Sequence, residues 1–565
     1  MSGYSVFLKK QQSKTSPTKD ETDHLISGPL SESMKDNLQQ LQDDMGHSVD
    51  LIIREIESER LGLQMAFVYI DGLVDNTAVS EFTIQTVLDE TSLITDSDNK
   101  PDIDELGKVF KHRAFSVGQI SKCSDWANLY SRLMSGYTIL FLDGCEEVII
   151  AGTEGGERRS VTEPTSQTVI RGPREGFTES IRTNTSLLRR KIKSPKLWLE
   201  EMQIGRVTMT DVGIMYIKGI VGEEIVTEVR KRLSNIDIDA ILESGYIEEL
   251  IEDTNFTLFP TVYHSERPDV IAANLLEGRV AILVDGTPFA LIVPSTFNMY
   301  FQAAEDYYNR FDVGSLIRLL RFISFFIGLL MPSLYVAIIS FHQEMIPTPW
   351  LIKLAVQREG VPFPAFVEAF IMETVFEILR EAGVRMPRSV GNTISIVGGL
   401  VLGQAAVEAG IVSPAVVIVV SLTAIASFVS PAYNIGITAR MLRFLFLFAS
   451  SFMGIYGMAC LLLIILLHMC SLKSMNVPYM APYGPTILSD LKDTLLRVPM
   501  TLMKTRPKMI SKNNPVRQSR SASDKQHHEI FWGKPADAAS SSPSLGTGRS
   551  STSKANEQPE PSEER

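Results

Sequence analysis

The sequence FISFFIGLLMPSLYVAIISF occupies residues 322–341 and contains no charged side chain over its 20 residues. A hydrocarbon core about 30 Å thick is crossed by about 20 helical residues, because each residue adds about 1.5 Å. Most helices of soluble proteins are shorter than this run. The run therefore predicts a membrane-spanning helix, and we expect the chain to act in or beside a bilayer.

Three further apolar runs follow and define a predicted membrane domain over residues 306–475. The last run is long for one perpendicular crossing, so it is expected to tilt or protrude. Basic residues before the first run and after the last favour both termini on the cytoplasmic side, which an even number of crossings satisfies. Four crossings are predicted, or five if residues 362–382 also cross. The four predicted spans are residues 320–341, 391–409, 411–430 and 444–470.

Residues 362–382 form a predicted amphipathic or re-entrant helix that is rich in glutamate. Glu373, Glu377 and Glu381 recur every four residues, so a helix places them on one stripe. The stripe is either a solvated face of a helix at the membrane surface or, if several copies surround an axis, part of a carboxylate ring that attracts cations. Polar groups in residues 391–409 would be costly against lipid. The candidate pore or gating residues are Glu368, Glu373, Glu377, Gln404 and Glu408.

Small residues cluster in the predicted span of residues 391–409. Gly399 and Gly403 are spaced as GxxxG, a pattern that lets helix backbones approach closely. Helix packing is the simpler interpretation of this cluster, and a protein-lined conduit is the other. The candidate helix-packing residues are Gly398, Gly399 and Gly403.

Two strand-turn-strand blocks precede the membrane domain and resemble each other. GYTILFLDGCEEVII at residues 136–150 and GRVAILVDGTPFALI at residues 278–292 share a first glycine, two apolar runs and an Asp-Gly at the same offset. Asp-Gly between apolar runs predicts a β-hairpin. The predicted fold class is therefore a soluble α/β N-terminal region of two related lobes, residues 50–155 and 196–305, followed by an all-α multi-pass membrane domain.

Residues 156–195 form a predicted linker between the lobes that is rich in Arg, Thr and Pro. Its basic and polar character fits either a contact with an anion or a partner chain, or a solvated connector. The candidate contact residues are Arg171, Gly172, Pro173 and Arg174. Residues 1–49 are predicted to be a disordered extension, and residues 476–565 a polar, partly disordered tail.

Composition and motifs exclude several classes of function. A formal net charge of −12 does not suggest a nucleic-acid-binding protein. The four cysteines, Cys123, Cys145, Cys460 and Cys470, show no CxxC spacing, so no metal site is expected. The sequence lacks GxxxxGK[ST], HExxH and GxSxG. We therefore expect no catalytic residues, no cofactor and no enzymatic activity.

Several blocks of this chain, in order, resemble the A subunits of GerA-type spore germinant receptors. They include SVTEPT at residues 160–165, VIRGPREGF at 169–177, SLIRLLRF at 315–322, VPFPAFVEA at 361–369 and VGGLVLGQAAVEAGIVSP at 397–414. The resemblance covers residues 50–500 and implies a subunit of the spore inner membrane, working with a transporter-like B subunit and a lipoprotein C subunit. It further implies nutrient-triggered germination, with A subunits that form a homo-oligomeric channel for monovalent cations.

Two other classes of function stay open beside this one, a secondary transporter and a membrane-tethered enzyme. A transporter usually shows more spans, often as repeats within the membrane, whereas the repeat here lies in the soluble part. A membrane-tethered enzyme would need a nucleophile, a metal or an acid-base pair in the lobes, where the candidates are only scattered aspartates, Asp71, Asp143 and Asp285. Turn chemistry explains the two in the matched hairpins, Asp143 and Asp285, better than catalysis does. The sequence therefore predicts a germinant-receptor A subunit, with a transporter subunit or a scaffold as the alternative.

Overall fold

The computed structural model describes residues 28–58, 63–83, 119–155, 171–385 and 402–518. The chain divides into two compact units, Met1–Arg517 and Gln518–Arg565, and the described helices and strands belong to the first unit.

The first lobe is a five-stranded sheet with helices packed on it. Its strands follow the order β1-β2-β4-β5-β3, and every neighbouring pair is antiparallel. Alternate side chains of the strands pack under two helices, in a core that includes Leu41, Val68, Leu129 and Ile150. The elements are α1 (Met34–Asp44), β1 (Leu51–Ser58), β2 (Leu63–Ile70), β3 (Ile120–Cys123), α2 (Trp126–Leu133), β4 (Thr138–Leu142) and β5 (Val148–Ala151).

The second lobe repeats this sheet. Its order is β6-β7-β9-β10-β8, which matches the first sheet strand for strand, so the predicted relation between the lobes is seen in their topology. The elements are α3 (Ile181–Lys191), β6 (Leu197–Ile204), β7 (Thr210–Ile217), α4 (Glu223–Ser234), α5 (Ser244–Ile251), β8 (Tyr263–Ser265), α6 (Pro268–Leu276), β9 (Val280–Val284) and β10 (Ala290–Val293).

Both predicted hairpins are confirmed, as β4–β5 and β9–β10. Their turn glycines, Gly144 and Gly286, have φ angles of 80° and 89°, which glycine adopts without strain. Asp143 Oδ1 accepts a hydrogen bond from the backbone N–H that begins α1, at 3.2 Å, and Asp285 Oδ1 accepts one from the N–H that begins α3, at 2.9 Å. Each turn therefore anchors the helix with which its lobe starts.

The first lobe begins earlier than the predicted boundary at residue 50. Helix α1 lies inside the predicted disordered extension, yet Met34, Leu38 and Leu41 are buried against the sheet. Ser33 caps the helix by accepting a hydrogen bond from the Asp36 N–H. The predicted tail, residues 476–565, also differs in part, because Val477 and Pro478 pair with Ser474 and Lys473 in a short hairpin, and residues up to 517 pack against the second lobe.

A helical bundle follows the second lobe. Its first helix, α8, contains the predicted span 320–341, and α11 covers most of the predicted span 411–430; residues 402–408 are also helical. By length and composition, α8 and α12 are the two described helices that are apolar enough to cross a membrane. The elements are α7 (Glu305–Tyr308), α8 (Phe311–Phe341), α9 (Thr348–Arg358), α10 (Ala365–Arg385), α11 (Pro414–Phe428), α12 (Tyr433–Ser471), β11 (Lys473–Ser474) and β12 (Val477–Pro478).

Helix α12 turns back on itself at Gly454. Thr438 and His468 are 30 positions apart and would lie about 45 Å apart in a straight helix. Instead, Thr438 Oγ1 donates to the Leu258 carbonyl at 2.5 Å, and His468 Nε2 lies 3.0 Å from the hydroxyl of the adjacent Thr257. The apolar run predicted as one long span, residues 444–470, is thus divided between two antiparallel legs, residues 433–453 and 455–471.

The reversal depends on the backbone conformation of Gly454, at φ 57° and ψ −136°. Its turn packs against the end of α8, where a Cβ atom would meet Phe341 Cβ at 2.9 Å and the His342 ring at 2.7 Å. We call this end of the bundle the far end. The lobe end is the opposite one, where Thr438 and His468 contact the second lobe.

Replacing Gly454 by alanine is expected to destabilise the chain by roughly 1–3 kcal/mol, the cost of a side chain in a sparsely populated backbone region. The thermal unfolding of the detergent-solubilised protein measures this loss. Gly436→Ala is the matched control, because Gly436 lies in a regular stretch of the same helix with no atom within 4 Å of an added Cβ. Equal unfolding temperatures for the two variants would contradict the assignment of the turn to Gly454.

Candidate functional site: charged pairs inside the helical bundle

The glutamates of α10 form ion pairs with arginines of the same chain. Arg443 Nη1 donates to Glu373 Oε2 at 2.6 Å, and both side chains are almost fully buried. One turn later, Arg440 Nη1 donates to Glu377 Oε1 at 2.5 Å. The two glutamates, four residues apart, share one face of α10, and the two arginines, three residues apart, share one face of the first leg of α12. These two faces pack against each other.

Glu368 is the third acidic residue of α10 that the bundle encloses. Its carboxylate is fully buried, lies 3.2 Å from Arg358 Nη2, and accepts a hydrogen bond from the Ser413 N–H at 2.9 Å. Glu381, at the other end of the stripe, is exposed and pairs with Arg385. The surface-helix interpretation thus describes Glu381 but not Glu368 or Glu373.

Arg443 connects three helices. Besides its pair with Glu373 of α10, its Nε donates to the carbonyl of Gly328 in α8 at 2.7 Å. Glu373 Oε1 and Arg443 Nη2 have no hydrogen-bond partner among the described residues, although both atoms are buried. Such half-satisfied groups are costly in a low-dielectric interior, so this pair is a point at which a rearrangement of partners is favoured.

The other candidate residues lie apart from these pairs. Gln404 and Glu408 are exposed, and the Gln404 amide donates to Glu408 Oε1 at 2.8 Å. Gly403 is buried, and a Cβ atom there would lie 3.3 Å from Val417 Cγ1; its packing role stays a prediction. Gly398 and Gly399 fall outside the described residues. The structure contains one chain, so a pore-lining role for any of these residues stays a prediction.

A second charged cluster lies where α8 leaves the second lobe. Asp306 is 1% exposed, and its carboxylate accepts hydrogen bonds from Arg318 Nε at 3.1 Å and from Arg321 Nη1 at 2.7 Å. Arg318 Nη1 also donates to Asp493 Oδ1 at 2.8 Å. Burial raises the pKa of the Asp493 carboxyl, and the positive charge of Arg318 opposes that shift. The cluster therefore joins α7, α8 and the segment that follows α12.

The predicted contact segment at Arg171–Arg174 lies against the second lobe. A Cβ atom on Gly172 would come within 2.7 Å of the Tyr308 ring, and the Pro173 carbonyl accepts from Arg267 Nη2 at 3.3 Å. Arg171 and Arg174 are exposed. The two lobes meet elsewhere, through a buried bidentate pair in which Arg189 donates to Asp50 at 2.7 and 2.8 Å.

Sequence reasoning missed the arginine partners of these acids. Arg440 and Arg443 stand at the start of an apolar run, and their three-residue spacing is the one signal that pointed to a shared helix face. In the described part of the chain, no group of three or more His, Cys, Asp or Glu side chains is arranged to hold a metal ion.

Comparison with known proteins places these features in a family context. The family model described as Bacillus/Clostridium GerA spore germination protein matches residues 39–509. "Spore germination protein KA" of Bacillus subtilis (strain 168) is 51% identical over 87% of this chain and 89% of its own length. "Spore germination protein GerLA" of Bacillus cereus is 38% identical over 87% of this chain and 98% of its own. The crystal structure of the N-terminal domain of the A subunit of the Bacillus megaterium spore germinant receptor GerK3 is 43% identical, with a TM-score of 0.39, covering 48% of this chain and 98% of that one.

Proposed function

Because the chain belongs to the GerA family of spore germination proteins, we propose that it is the A subunit of a nutrient-sensing germinant receptor in the spore inner membrane. In this proposal several copies assemble around an axis and form a nutrient-gated path for monovalent cations. A transporter-like B subunit and a lipoprotein C subunit complete the receptor. Both termini lie on the cytoplasmic or spore-core side.

The observation that carries the channel proposal is the row of charged pairs along α10. Ionisable groups inside a bilayer face protein or a water-filled path and are paired there. Glu368, Glu373 and Glu377 follow this rule, since each is held by an arginine of a neighbouring helix. Such a row supports an element with two states. In one state each glutamate is paired with its arginine, and in the other the arginine has moved to another partner and the carboxylate is exposed.

The contacts between the helices support a bundle that crosses the membrane several times. Helix α8 begins at the lobe end, where Arg318 bonds Asp306, and it finishes at the far end, where Phe341 lies beside the turn at Gly454. Helix α10 runs back, because Glu377 pairs with Arg440, near Thr438 at the lobe end.

Helix α11 begins beside Glu368, and its Ser427 accepts from Arg380 near the lobe end, so it also runs towards the lobe. In this proposal the two legs of α12 bring the crossing segments among the described residues to five. The return from Arg385 to Ser413 includes residues 386–401, outside the described residues. We propose six crossings, two more than the four predicted from hydropathy, and an even number keeps the termini on one side.

Nutrient binding can open such an assembly only if the ligand favours the open state over the closed one. We place the nutrient site elsewhere in the receptor and assign this chain the coupling and conducting role. The second lobe supports a coupling role, since its Phe301 carbonyl accepts from Arg321 at the start of α8 and its Thr257 contacts His468 at the end of α12.

Spores that lack this chain test the receptor proposal directly. Potassium efflux and loss of refractility would be measured against a panel of amino acids, sugars and nucleosides. We expect the response to at least one nutrient to disappear and to return when the gene is restored. Related receptors can mask the loss, so the chain is also deleted in a strain that lacks them. An unchanged response of that strain across the panel would overturn the proposal.

The internal neutralisation of the α10 glutamates also favours a second candidate, a membrane scaffold without conductance. Glu373 and Glu377 already have cationic partners within one chain, so a structural role accounts for them as well. Cation flux through vesicles containing the purified receptor complex separates the two candidates. Nutrient-dependent flux supports the channel, and its absence in a complex that binds nutrient supports the scaffold.

A further inference from the structure

The loop between α5 and β8 presents a bare aromatic side chain at the lobe end of the bundle. Phe256 is 96% exposed. The next two residues, Thr257 and Leu258, make the hydrogen bonds to His468 and Thr438 described above. Phe256 is therefore held within one residue of the point where the second lobe contacts both legs of α12.

The charged groups of this loop are bound on the protein side. Asp253 accepts hydrogen bonds from Arg232 at 2.7 Å and from the Met475 N–H at 2.8 Å. Glu252 accepts from the Thr261 hydroxyl at 3.1 Å. Because both carboxylates are hydrogen-bonded to the protein, neither hydrates the surface around Phe256. The outer surface of the loop therefore ends in an apolar side chain.

The second leg of α12 carries exposed apolar side chains up to its contact with this loop. Leu463, Ile464 and Leu467 on the second leg are 60%, 62% and 64% exposed, and Leu467 directly precedes the His468 that contacts Thr257. An apolar face on a membrane leg is the surface that lipid chains cover. Aromatic side chains are enriched where such a face meets the headgroups.

We propose that Phe256 inserts into the lipid of the leaflet on the lobe side and that the second lobe rests on the bilayer through this loop. The occupant is the boundary between headgroups and acyl chains, a region that accepts apolar side chains from protein elements lying on its surface. This contact goes beyond the receptor function proposed above and does not require the assembly to conduct ions.

Depth-dependent quenching tests the contact in the full-length chain. Cys145, Cys460 and Cys470 are replaced by serine, the buried Cys123 is kept, and Phe256→Cys carries an environment-sensitive fluorophore. The protein is placed in vesicles of phosphatidylethanolamine and phosphatidylglycerol, with nitroxide lipids labelled either near the headgroup or deep in the chain. We expect blue-shifted emission at position 256 and stronger quenching by the shallow nitroxide than by the deep one.

Two matched positions frame the result. Val207→Cys is the negative control: Val207 is 78% exposed in the turn after β6, at the end of the sheet where Val212 pairs with Val284. The loop of Phe256 leads into Tyr263, which pairs with Ile292 near the opposite end of that sheet. Leu463→Cys is the positive control for membrane insertion, and the deep nitroxide should quench its label.

The outcomes separate this inference from the membrane placement itself. Quenching at 463 with none at 256 would overturn the lipid contact and leave the membrane domain in place. Crosslinking of position 256 to a second copy of the chain, without quenching, would also overturn it and assign the loop to a subunit interface. Phe256 makes no buried packing, so the substitution leaves the fold intact and the comparison stands.

Discussion

Replacing Glu373 by glutamine is expected to destabilise the folded chain by roughly 3–5 kcal/mol, because it leaves Arg443 charged and uncompensated inside the bundle. Both members of the pair are 2% exposed, so water cannot replace the lost carboxylate. The receptor should accumulate poorly in spores and unfold at lower temperature in detergent. Immunoblots of spore membranes and thermal unfolding measure both effects.

Glu381→Gln is the control, because Glu381 forms an exposed pair with Arg385 on the same helix, and such pairs contribute about 0–1 kcal/mol. Normal accumulation and stability of Glu373→Gln would contradict the buried pair. The double variant Glu373→Gln with Arg443→Gln removes both charges and should recover much of the stability. If the recovered protein conducts with unchanged ion selectivity, Glu373 does not line the path; if the selectivity changes, the pore interpretation is supported.

Replacing Asp306 by asparagine is expected to be about as damaging, again roughly 3–5 kcal/mol. Asp306 is the shared anion between Arg318 and Arg321, which are 0% and 7% exposed, so the change leaves two buried guanidinium groups facing a neutral side chain. We expect the second lobe to separate from the bundle at lower temperature or denaturant concentration. Limited proteolysis of the solubilised chain near α7 reports this separation.

Asp312→Asn is the matched control for that experiment. Asp312 lies only six residues away and pairs with Arg310, but both side chains are at least half exposed, so its loss should change stability by less than about 1 kcal/mol. Equal protease resistance of the two variants would show that Asp306 does not hold the lobe to the bundle.

The sequence predicted those parts of the fold that depend on local pattern. The Asp-Gly turns at residues 143–144 and 285–286 identified both hairpins, because the turn chemistry and the flanking apolar runs are local. Residues 322–341 identified α8 for the same reason. The boundary of the first lobe was placed too late because the apolar residues of α1 are only three in a polar stretch, and their burial depends on the sheet that they cover.

The reversal at Gly454 and the partners of the α10 glutamates were not predictable in the same way. One glycine in a long apolar run fits either a straight helix or a turn, and only packing against Phe341 and His342 decides between them. Likewise, the spacing of Glu373 and Glu377 showed which face of the helix is acidic, but it did not show which residues contact that face. Arg440 and Arg443 lie 63 and 70 positions along the chain from those glutamates, a separation that no local pattern spans.

Because α12 folds back at Gly454, the second lobe contacts both the beginning and the end of the helical bundle. The second lobe holds the start of α8 through the Phe301 carbonyl, which accepts from Arg321 Nη1 at 3.2 Å. It also holds both ends of α12, through the contacts of Leu258 with Thr438 and of Thr257 with His468. These three contact points cannot move apart unless the lobe deforms. In the channel proposed above, the displacement that opens the bundle therefore falls on α9, α10 and α11, which lie along the chain between the contacts of Arg321 and Thr438 with the lobe.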